Sequence, residues 1–197
     1  GKEVLYAVDQ ANQYNVDALY FCDPVMGHPE KGCIVVPEVM DFFKYHALPK
    51  ADVIAPNLLE LETLTDMRIG NIEQVKQACS MLLDQGVKIV LVKHLSKAGI
   101  TASQFEMLLA TDAGYFHITR PMYDFIRQQV GVGDLLSGVM LANLLSGHKP
   151  VTAFELTNSV VDAVLEATFK QGSYELQLIT AQDLIAQPDV NVYATRL

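Results

Sequence analysis

Short apolar runs separated by helical patterns limit the fold of this chain more than any other feature. Runs at 18–22, 52–55 and 88–93 are short enough for buried strands, and segments with helical spacing lie between them. Parallel strands need such helical crossovers, whereas antiparallel strands can be joined by tight turns. Further on, 105–111 and 115–119 flank the turn signal Asp112-Ala113-Gly114 and predict an antiparallel hairpin. The sequence therefore predicts an α/β fold, with a mostly parallel sheet between two helical layers and a hairpin at one side.

The composition narrows the class of protein. The 197 residues, half of them hydrophobic, are enough for one domain over 1–197 with a substantial core. The net charge of −9 opposes nucleic-acid binding, which depends on neutralising phosphates, and no apolar run is long enough to span a membrane. The three cysteines are scattered without paired spacing, which favours the reducing cytoplasm. These features together are typical of a cytoplasmic enzyme that acts on a small molecule.

The segment Gly131-Val132-Gly133-Asp134 is the first candidate for chemistry. Two glycines one residue apart allow a tight turn, and the apolar helix predicted to begin at Asp134 adds the positive end of its dipole. An anion is expected there, beside a carboxylate that can take a proton from a hydroxyl group. Taken alone, the segment is more typical of an ordinary helix start, with Asp134 as the N-cap.

Polar side chains at the ends of the predicted strands favour the functional interpretation. Asp23 closes the first strand, Asn57 and Glu60 follow the second with helical spacing, and Lys93 ends the third. The carboxyl ends of parallel strands meet at one edge of a sheet, which is where ligands bind in such folds. Carboxylates there suit Mg²⁺ carrying substrate phosphates, and Lys93 suits a nucleotide phosphate. Each of these residues alone could also be an ordinary solvated strand end.

This combination resembles the ribokinase-like superfamily and, within it, the pyridoxal kinases of bacteria. The resemblance covers essentially the whole chain, and its blocks occur in family order. They are Phe21-Cys22-Asp23-Pro24-Val25-Met26-Gly27-His28, Ala55-Pro56-Asn57-Leu58-Leu59-Glu60, Leu91-Val92-Lys93-His94, Phe105-Glu106-Met107-Leu108-Leu109, His117-Ile118-Thr119-Arg120-Pro121 and Gly131-Val132-Gly133-Asp134. It implies a three-layer α/β/α fold and ATP-dependent phosphorylation of the 5′-hydroxyl of pyridoxal, pyridoxamine or pyridoxine.

The resemblance also implies roles for single residues. Asp134 would be the catalytic base and contact the substrate, and the backbone N–H groups of Gly131, Val132 and Gly133 would form an anion hole. Mg²⁺ would be held by Asp23 and Glu60, with Asn57 beside them. The residues expected along ATP are Asp23, Ala55, Glu60, Lys93, Arg120, Pro121, Met122 and Tyr123. Family members commonly use a monovalent cation such as K⁺ and are usually homodimers.

Several alternatives remain open at this point. A hydroxymethylpyrimidine kinase shares the Asp-Pro-Val-Met strand end but often has Cys where Asp134 stands, and a ribokinase-type sugar kinase is a more distant rival. Pyridoxal kinases also carry a strand-rich segment ahead of the first helix, which this sequence lacks. The chain is therefore expected to be part of a longer kinase or a degenerate member, and a catalytically silent nucleotide-binding remnant is the alternative from outside the enzymes. The five histidines form no zinc pattern, and His117 is expected to be a hydrogen-bonded structural residue.

Overall fold

Helices and strands alternate along the computed structural model, which describes residues 1–28, 32–101 and 103–197. The described residues form two compact units. The first comprises 1–99 with 110–113, and the second comprises 100–109 with 114–197. The sequence was expected to fold as a single domain, and that expectation stays a prediction.

The first unit contains four α-helices and five short strands. They are α1 (Lys2–Tyr14), α2 (Pro37–Phe42), α3 (Leu58–Thr65) and α4 (Ile72–Asp84), with β1 (Phe21–Cys22), β2 (Gly27–His28), β3 (Gly32–Cys33), β4 (Val53–Ile54) and β5 (Ile89–Val92). Strand β4 pairs in parallel with β1 on one side and with β5 on the other. Strands β2 and β3 form a small antiparallel pair of their own. The predicted parallel strands with helical crossovers are therefore confirmed in this unit.

Apolar faces at helical spacing form the core of the first unit. Helix α4 buries Val75, Ala78, Cys79 and Leu82, a spacing of i, i+3, i+4 and i+7 that places them on one side of the helix. All of strand β5 is buried, as the continuous apolar sequence of a central parallel strand predicts. This packed core fixes the ends of the strands, and it therefore also fixes the positions of the polar residues that directly follow them.

The second unit is built around one long helix. It contains most of β6 (Phe105–Thr111), whose residues 110 and 111 belong to the first unit. Its other elements are β7 (Gly114–Arg120), α5 (Val132–Leu145), α6 (Pro150–Lys170), α7 (Gln182–Ala186) and β8 (Thr195–Arg196). Helix α6 buries residues along most of its length, including Phe154 and Val161, and α5 packs against it. No helix in the described part of the chain combines the length and the apolar character needed to cross a bilayer.

The predicted hairpin is confirmed. Strands β6 and β7 are neighbours in the sheet order and are joined by Asp112 and Ala113 alone, a connection that only antiparallel strands can make. Gly114 has a φ of +121°, which a side chain would disfavour, so glycine suits the exit from this turn. On its other side β7 pairs antiparallel with β8.

A buried pair holds the start of this hairpin. The Nε2 atom of His117 lies 2.6 Å from Oε2 of Glu106, and the same carboxylate accepts hydrogen bonds from the backbone N–H groups of Ile100 (2.8 Å) and Thr101 (2.5 Å). Burial acts to raise the pKa of Glu106, but these hydrogen bonds outweigh it and hold that pKa below its ordinary value. His117 is therefore a hydrogen-bonded structural residue, as predicted.

Candidate active site

An ion pair joins the ends of two strands in the first unit. Asp23 directly follows β1 and Lys93 directly follows β5, and Nζ of Lys93 lies 2.5 Å from Oδ1 of Asp23. Because β1, β4 and β5 run parallel, the two residues emerge at the same edge of the sheet. Their side chains are only 20% and 12% exposed, so water screens the pair less than it would on an open surface. The sequence analysis expected both residues along one edge of the sheet, and the structure brings them into contact there.

A capping box fixes the start of α3 beside the same edge. Asn57 is the N-cap, and its Oδ1 accepts a hydrogen bond from the backbone N–H of Glu60 at 3.0 Å. In return, Oε2 of Glu60 accepts from the backbone N–H of Asn57 at 2.7 Å. Both side chains also reach the segment after Asp23, because Glu60 accepts from the N–H of Met26 (3.1 Å) and Asn57 donates to the carbonyl of Gly27 (2.9 Å). The helix start and the segment that follows β1 are thus held as one piece.

Glu60 is a buried carboxylate in a charged neighbourhood. It is only 1% exposed, and this burial raises its pKa above the ordinary value. The N–H of Asn57 and the charge of Lys93 act in the opposite direction, while the charge of Asp23 adds to the increase. Glu60, Asp23 and Lys93 are therefore close enough to influence one another. Two carboxylates and one ammonium group leave an excess of negative charge that a cation would relieve.

The oxygen atoms of Asp23, Asn57 and Glu60 suit a magnesium ion that arrives with bound phosphates better than a metal held by protein side chains alone. Within residues 1–28, 32–101 and 103–197, no group of three or more His, Cys, Asp or Glu side chains is arranged to hold a metal ion. Both oxygens of Glu60 already accept N–H groups, and the amide oxygen of Asn57 serves as the helix cap. Mg²⁺ commonly binds through one or two carboxylates, with waters and phosphates as its other ligands. Asp23 and Glu60 fit that mode.

Gly131-Val132-Gly133-Asp134 forms the start of a helix in the second unit. Helix α5 begins at Val132, two residues earlier than predicted, and Gly131 is its N-cap with a φ of +86°. The interpretation of Asp134 as the N-cap is wrong. The cap position has a left-handed conformation that favours glycine, so Gly131 is the N-cap and Asp134 lies in the first helical turn. The N–H groups at a helix start have no acceptor within the helix and attract anions. Asp134 is exposed beside them.

The predicted nucleotide stretch begins at the end of β7. Arg120 is the last residue of this strand and is only 3% exposed, with its guanidinium carbon 3.9 Å from the centre of the Phe105 ring. Burial lowers the pKa of Arg120 to about 10, which still leaves it charged at neutral pH, and the charge of Asp162 opposes that decrease. Pro121 and Met122 are exposed, and Tyr123 is half-buried. The exposed surface of this stretch thus consists of residues after Arg120 rather than the arginine side chain.

Two further features bear on the predicted site residues. Ala55 is fully buried, and its N–H donates to the carbonyl of Cys22 at 3.0 Å, which extends the pairing of β1 with β4.

Asp162, which the sequence analysis did not single out, lies within α6 close to Arg120 and Tyr123. Its signal in the sequence was an acidic residue inside the apolar stretch Val160-Val161-Asp162-Ala163-Val164.

Comparison with known proteins identifies the family. The family model for phosphomethylpyrimidine kinase matches residues 2–178. The chain is 57% identical over 199 residues to the pyridoxal kinase PdxY of Aliivibrio fischeri, an alignment that covers 100% of this chain and 69% of the relative.

Solved structures give the fold independently. Plasmodium falciparum PdxK, crystallised with AMP-PNP and PL, superposes with a TM-score of 0.86 at 23% identity, over 98% of this chain and 69% of that one. The pyridoxal kinase of Leishmania donovani in complex with ADP and pyridoxamine gives a TM-score of 0.85 at 22% identity, over 99% and 69%. These likenesses confirm the predicted ribokinase-like α/β fold. The chain belongs to the phosphomethylpyrimidine kinase family and, within it, to the pyridoxal kinases.

Proposed function

We propose that this protein transfers the γ-phosphoryl group of ATP to the 5′-hydroxyl of pyridoxal, and also of pyridoxamine and pyridoxine. The product, pyridoxal 5′-phosphate, places the enzyme in the salvage of vitamin B6. The observation that carries the proposal is the 57% identity to a pyridoxal kinase along the full length of this chain. The proposed base Asp134 and the strand-end residues Asp23, Glu60 and Lys93, which are the candidates for this chemistry, are present in the sequence.

Asp134 is the proposed general base. Its carboxylate accepts the proton of the 5′-hydroxyl as the oxygen attacks the γ-phosphorus, and ADP departs with the electron pair of the broken bond. The N–H groups of Gly131, Val132 and Gly133 then bind the transferring phosphoryl group, because the free N–H groups and dipole of α5 favour negative charge there. Phosphoryl transfer needs this kind of positioning and charge neutralisation more than covalent help from the protein.

ATP and its metal are assigned to the strand ends. Asp23 and Glu60 would hold Mg²⁺ with Asn57 beside them, and the metal would supply charge neutralisation on the phosphates when bound. Lys93 contributes a second positive charge, and Ala55 lies along the nucleotide. The remaining nucleotide contacts come from the stretch Arg120, Pro121, Met122 and Tyr123.

The remaining parts of the proposal concern the assembly and its surroundings. We carry over a monovalent cation such as K⁺ near the nucleotide and a homodimeric state from the family. A cytoplasmic location is supported by the cysteines, since Cys22, Cys33 and Cys79 are all free thiols. A pyrimidine substrate is the second candidate, because the matching family model is described as a phosphomethylpyrimidine kinase.

A substrate panel with one variant tests the proposal. The full-length gene product is assayed with ATP and Mg²⁺ against pyridoxal, pyridoxamine, pyridoxine and hydroxymethylpyrimidine, with AMP-PNP binding measured in parallel. Asp134→Ala is expected to keep the fold and AMP-PNP binding while turnover falls by roughly 10²–10⁴, the usual contribution of a general base. The matched control is Asp183→Ala, which removes another exposed acid from the first turn of a helix in the same unit and should leave turnover unchanged.

Each outcome of this panel has one meaning. Pyridoxal-type compounds as the best substrates support the proposed function, and hydroxymethylpyrimidine as the best substrate supports the second candidate. Binding of AMP-PNP without phosphorylation of any compound supports the silent remnant. Near-normal turnover in Asp134→Ala rules out the assigned role of Asp134 even if the substrate assignment holds.

A further inference from the structure

Asp162 and Tyr123 form a hydrogen bond that connects α6 with the stretch after β7. The hydroxyl of Tyr123 donates to Oδ1 of Asp162 at 3.1 Å. Asp162 is half-buried, and its burial raises its pKa, whereas the hydrogen bond from Tyr123 and the charge of Arg120 act to lower it. A partly desolvated carboxylate on an apolar helix is costly unless it interacts with such partners. The pairing with Tyr123 and Arg120 offsets that cost.

Arg120 is the second partner, and it interacts with Asp162 through charge. Its Nε and Nη2 atoms are buried and have no hydrogen-bond partner among the described residues. Because the guanidinium group packs beneath the ring of Phe105 and is almost fully covered, it cannot reach a surface ligand without rearrangement. Arg120 therefore contributes a buried positive charge close to Asp162, at the point where β7 ends.

Aromatic contacts fix the ring of Tyr123. Its ring centre lies 5.6 Å from that of Phe169 on α6 and 6.0 Å from that of Phe125, and Phe125 and Phe169 meet edge to face at 5.6 Å. Such aromatic pairs add modest stability beyond the area they bury. Tyr123 is thus held by its ring and by its hydroxyl. The exposed residues Pro121 and Met122 lie between this anchor and the buried Arg120.

We propose that Asp162 is a positioning residue for the nucleotide: through Tyr123 and Arg120 it holds the backbone of residues 120–123 in the conformation that receives ATP. The inference rests on the proposed nucleotide role of this stretch and goes beyond it in two ways. It assigns a function to a residue of α6 that does not itself touch ATP. It also assigns the side chain of Arg120 to the support of the stretch rather than to a phosphate.

Steady-state kinetics of three variants test the inference. Tyr123→Phe removes the hydroxyl and keeps the ring contacts, Asp162→Leu removes the acceptor and the charge, and Asp162→Asn keeps an acceptor without the charge. Tyr123→Phe and Asp162→Leu are expected to raise the KM for ATP about three- to tenfold, the range that corresponds to the typical net contribution of one hydrogen bond. Asp162→Asn should lie between wild type and Asp162→Leu, and the KM for pyridoxal should not change.

A matched control and a double variant separate positioning from general loosening. Tyr193→Phe also deletes a tyrosine hydroxyl that donates a hydrogen bond within the same unit, to the carbonyl of Val190 at 3.0 Å, and should leave the KM for ATP unchanged. Because Tyr123 and Asp162 act through one contact, the double variant Tyr123→Phe/Asp162→Leu should be no worse than Asp162→Leu alone.

The measurements distinguish failure of the inference alone from failure of the proposed function. A wild-type protein that does not bind AMP-PNP overturns both. A wild-type protein that binds AMP-PNP, with variants whose KM for ATP equals that of wild type, overturns the inference alone. Equal increases in the KM for ATP and for pyridoxal, together with a lower Tm, would show a merely structural role and also overturn it.

Discussion

Replacing Asn57 gives a sharp test of how the start of α3 is held, because the chain contains a natural comparison. Asn57 and Asn71 are both N-caps, of α3 and α4, and each accepts the backbone N–H of the third helical residue at 3.0 Å. Among the described residues, the side chain of Asn57 makes a second hydrogen bond, to the carbonyl of Gly27 at 2.9 Å, whereas that of Asn71 makes the capping bond alone. The two asparagines therefore differ by one hydrogen bond within the same unit.

The expected magnitudes follow from these contacts. Loss of an asparagine N-cap typically costs about 1 kcal/mol, which is the whole expected effect of Asn71→Ala on the free energy of unfolding. Asn57→Ala also leaves the part-buried carbonyl of Gly27 without this donor, which adds about 1–2 kcal/mol. We therefore expect a total of about 2–3 kcal/mol for Asn57→Ala. Asn57→Ser, which keeps a capping oxygen but is too short to replace the second bond, should cost about 1–2 kcal/mol.

Urea unfolding followed by far-UV circular dichroism measures these differences, since the chain has no tryptophan to report by fluorescence. Wild type and the three variants should be compared at one pH and without nucleotide. If Asn57→Ala destabilises the protein no more than Asn71→Ala does, the bond to Gly27 contributes nothing. The conclusion that the start of α3 and the segment after β1 are held together would then be wrong.

Two further predictions concern close approach and pH. Gly27→Ala would bring a Cβ into a clash with the carbonyl oxygen of Gly32 and should lower the Tm, and an unchanged Tm would contradict this geometry. Gly138→Ala, in a helix where an added Cβ has no neighbour within 4 Å, should instead raise stability by about 1 kcal/mol. Glu106 has a pKa held below its ordinary value, so its ionised form stabilises the folded state above the unfolded-state pKa of about 4.3, and that contribution is lost as the pH falls through the folded-state pKa. Urea midpoints measured on both sides of this range should depend less on pH in Glu106→Gln than in wild type, and identical slopes would refute the assignment.

The sequence predicted the strand-end cluster because that cluster follows from topology. Once the runs at 18–22, 52–55 and 88–93 were interpreted as parallel strands, Asp23 and Lys93 had to emerge at one edge, and the structure places them in contact. The residues around the capping box were harder to predict. The contacts that Glu60 and Asn57 make with Met26 and Gly27 depend on the path of the chain after β1, which no periodicity reveals.

Features without a repeating pattern were the ones that the sequence did not predict. Strands β2, β3 and β8 have two residues each, too few for an alternation of apolar and polar side chains to be recognised. The start of α5 was placed at Asp134 because an acidic residue is a common cap, but a glycine with positive φ provides the cap instead. The role of Asp162 depends on its neighbours in space, which spacing along α6 alone could not identify.

The ion pair between Asp23 and Lys93 has a consequence for how a charged ligand can enter. Before a ligand arrives, each group is the counter-ion of the other, so neither is left as an isolated charge in a partly desolvated place. When a metal cation and a phosphate enter together, Asp23 can exchange its ammonium partner for the cation while Lys93 exchanges its carboxylate partner for the phosphate. The charge pair between Asp23 and Lys93 is then replaced by two charge pairs with the ligand. The net charge at this edge of the sheet changes little, because the cation and the phosphate enter together. An edge arranged in this way should favour a metal–nucleotide complex over either component alone.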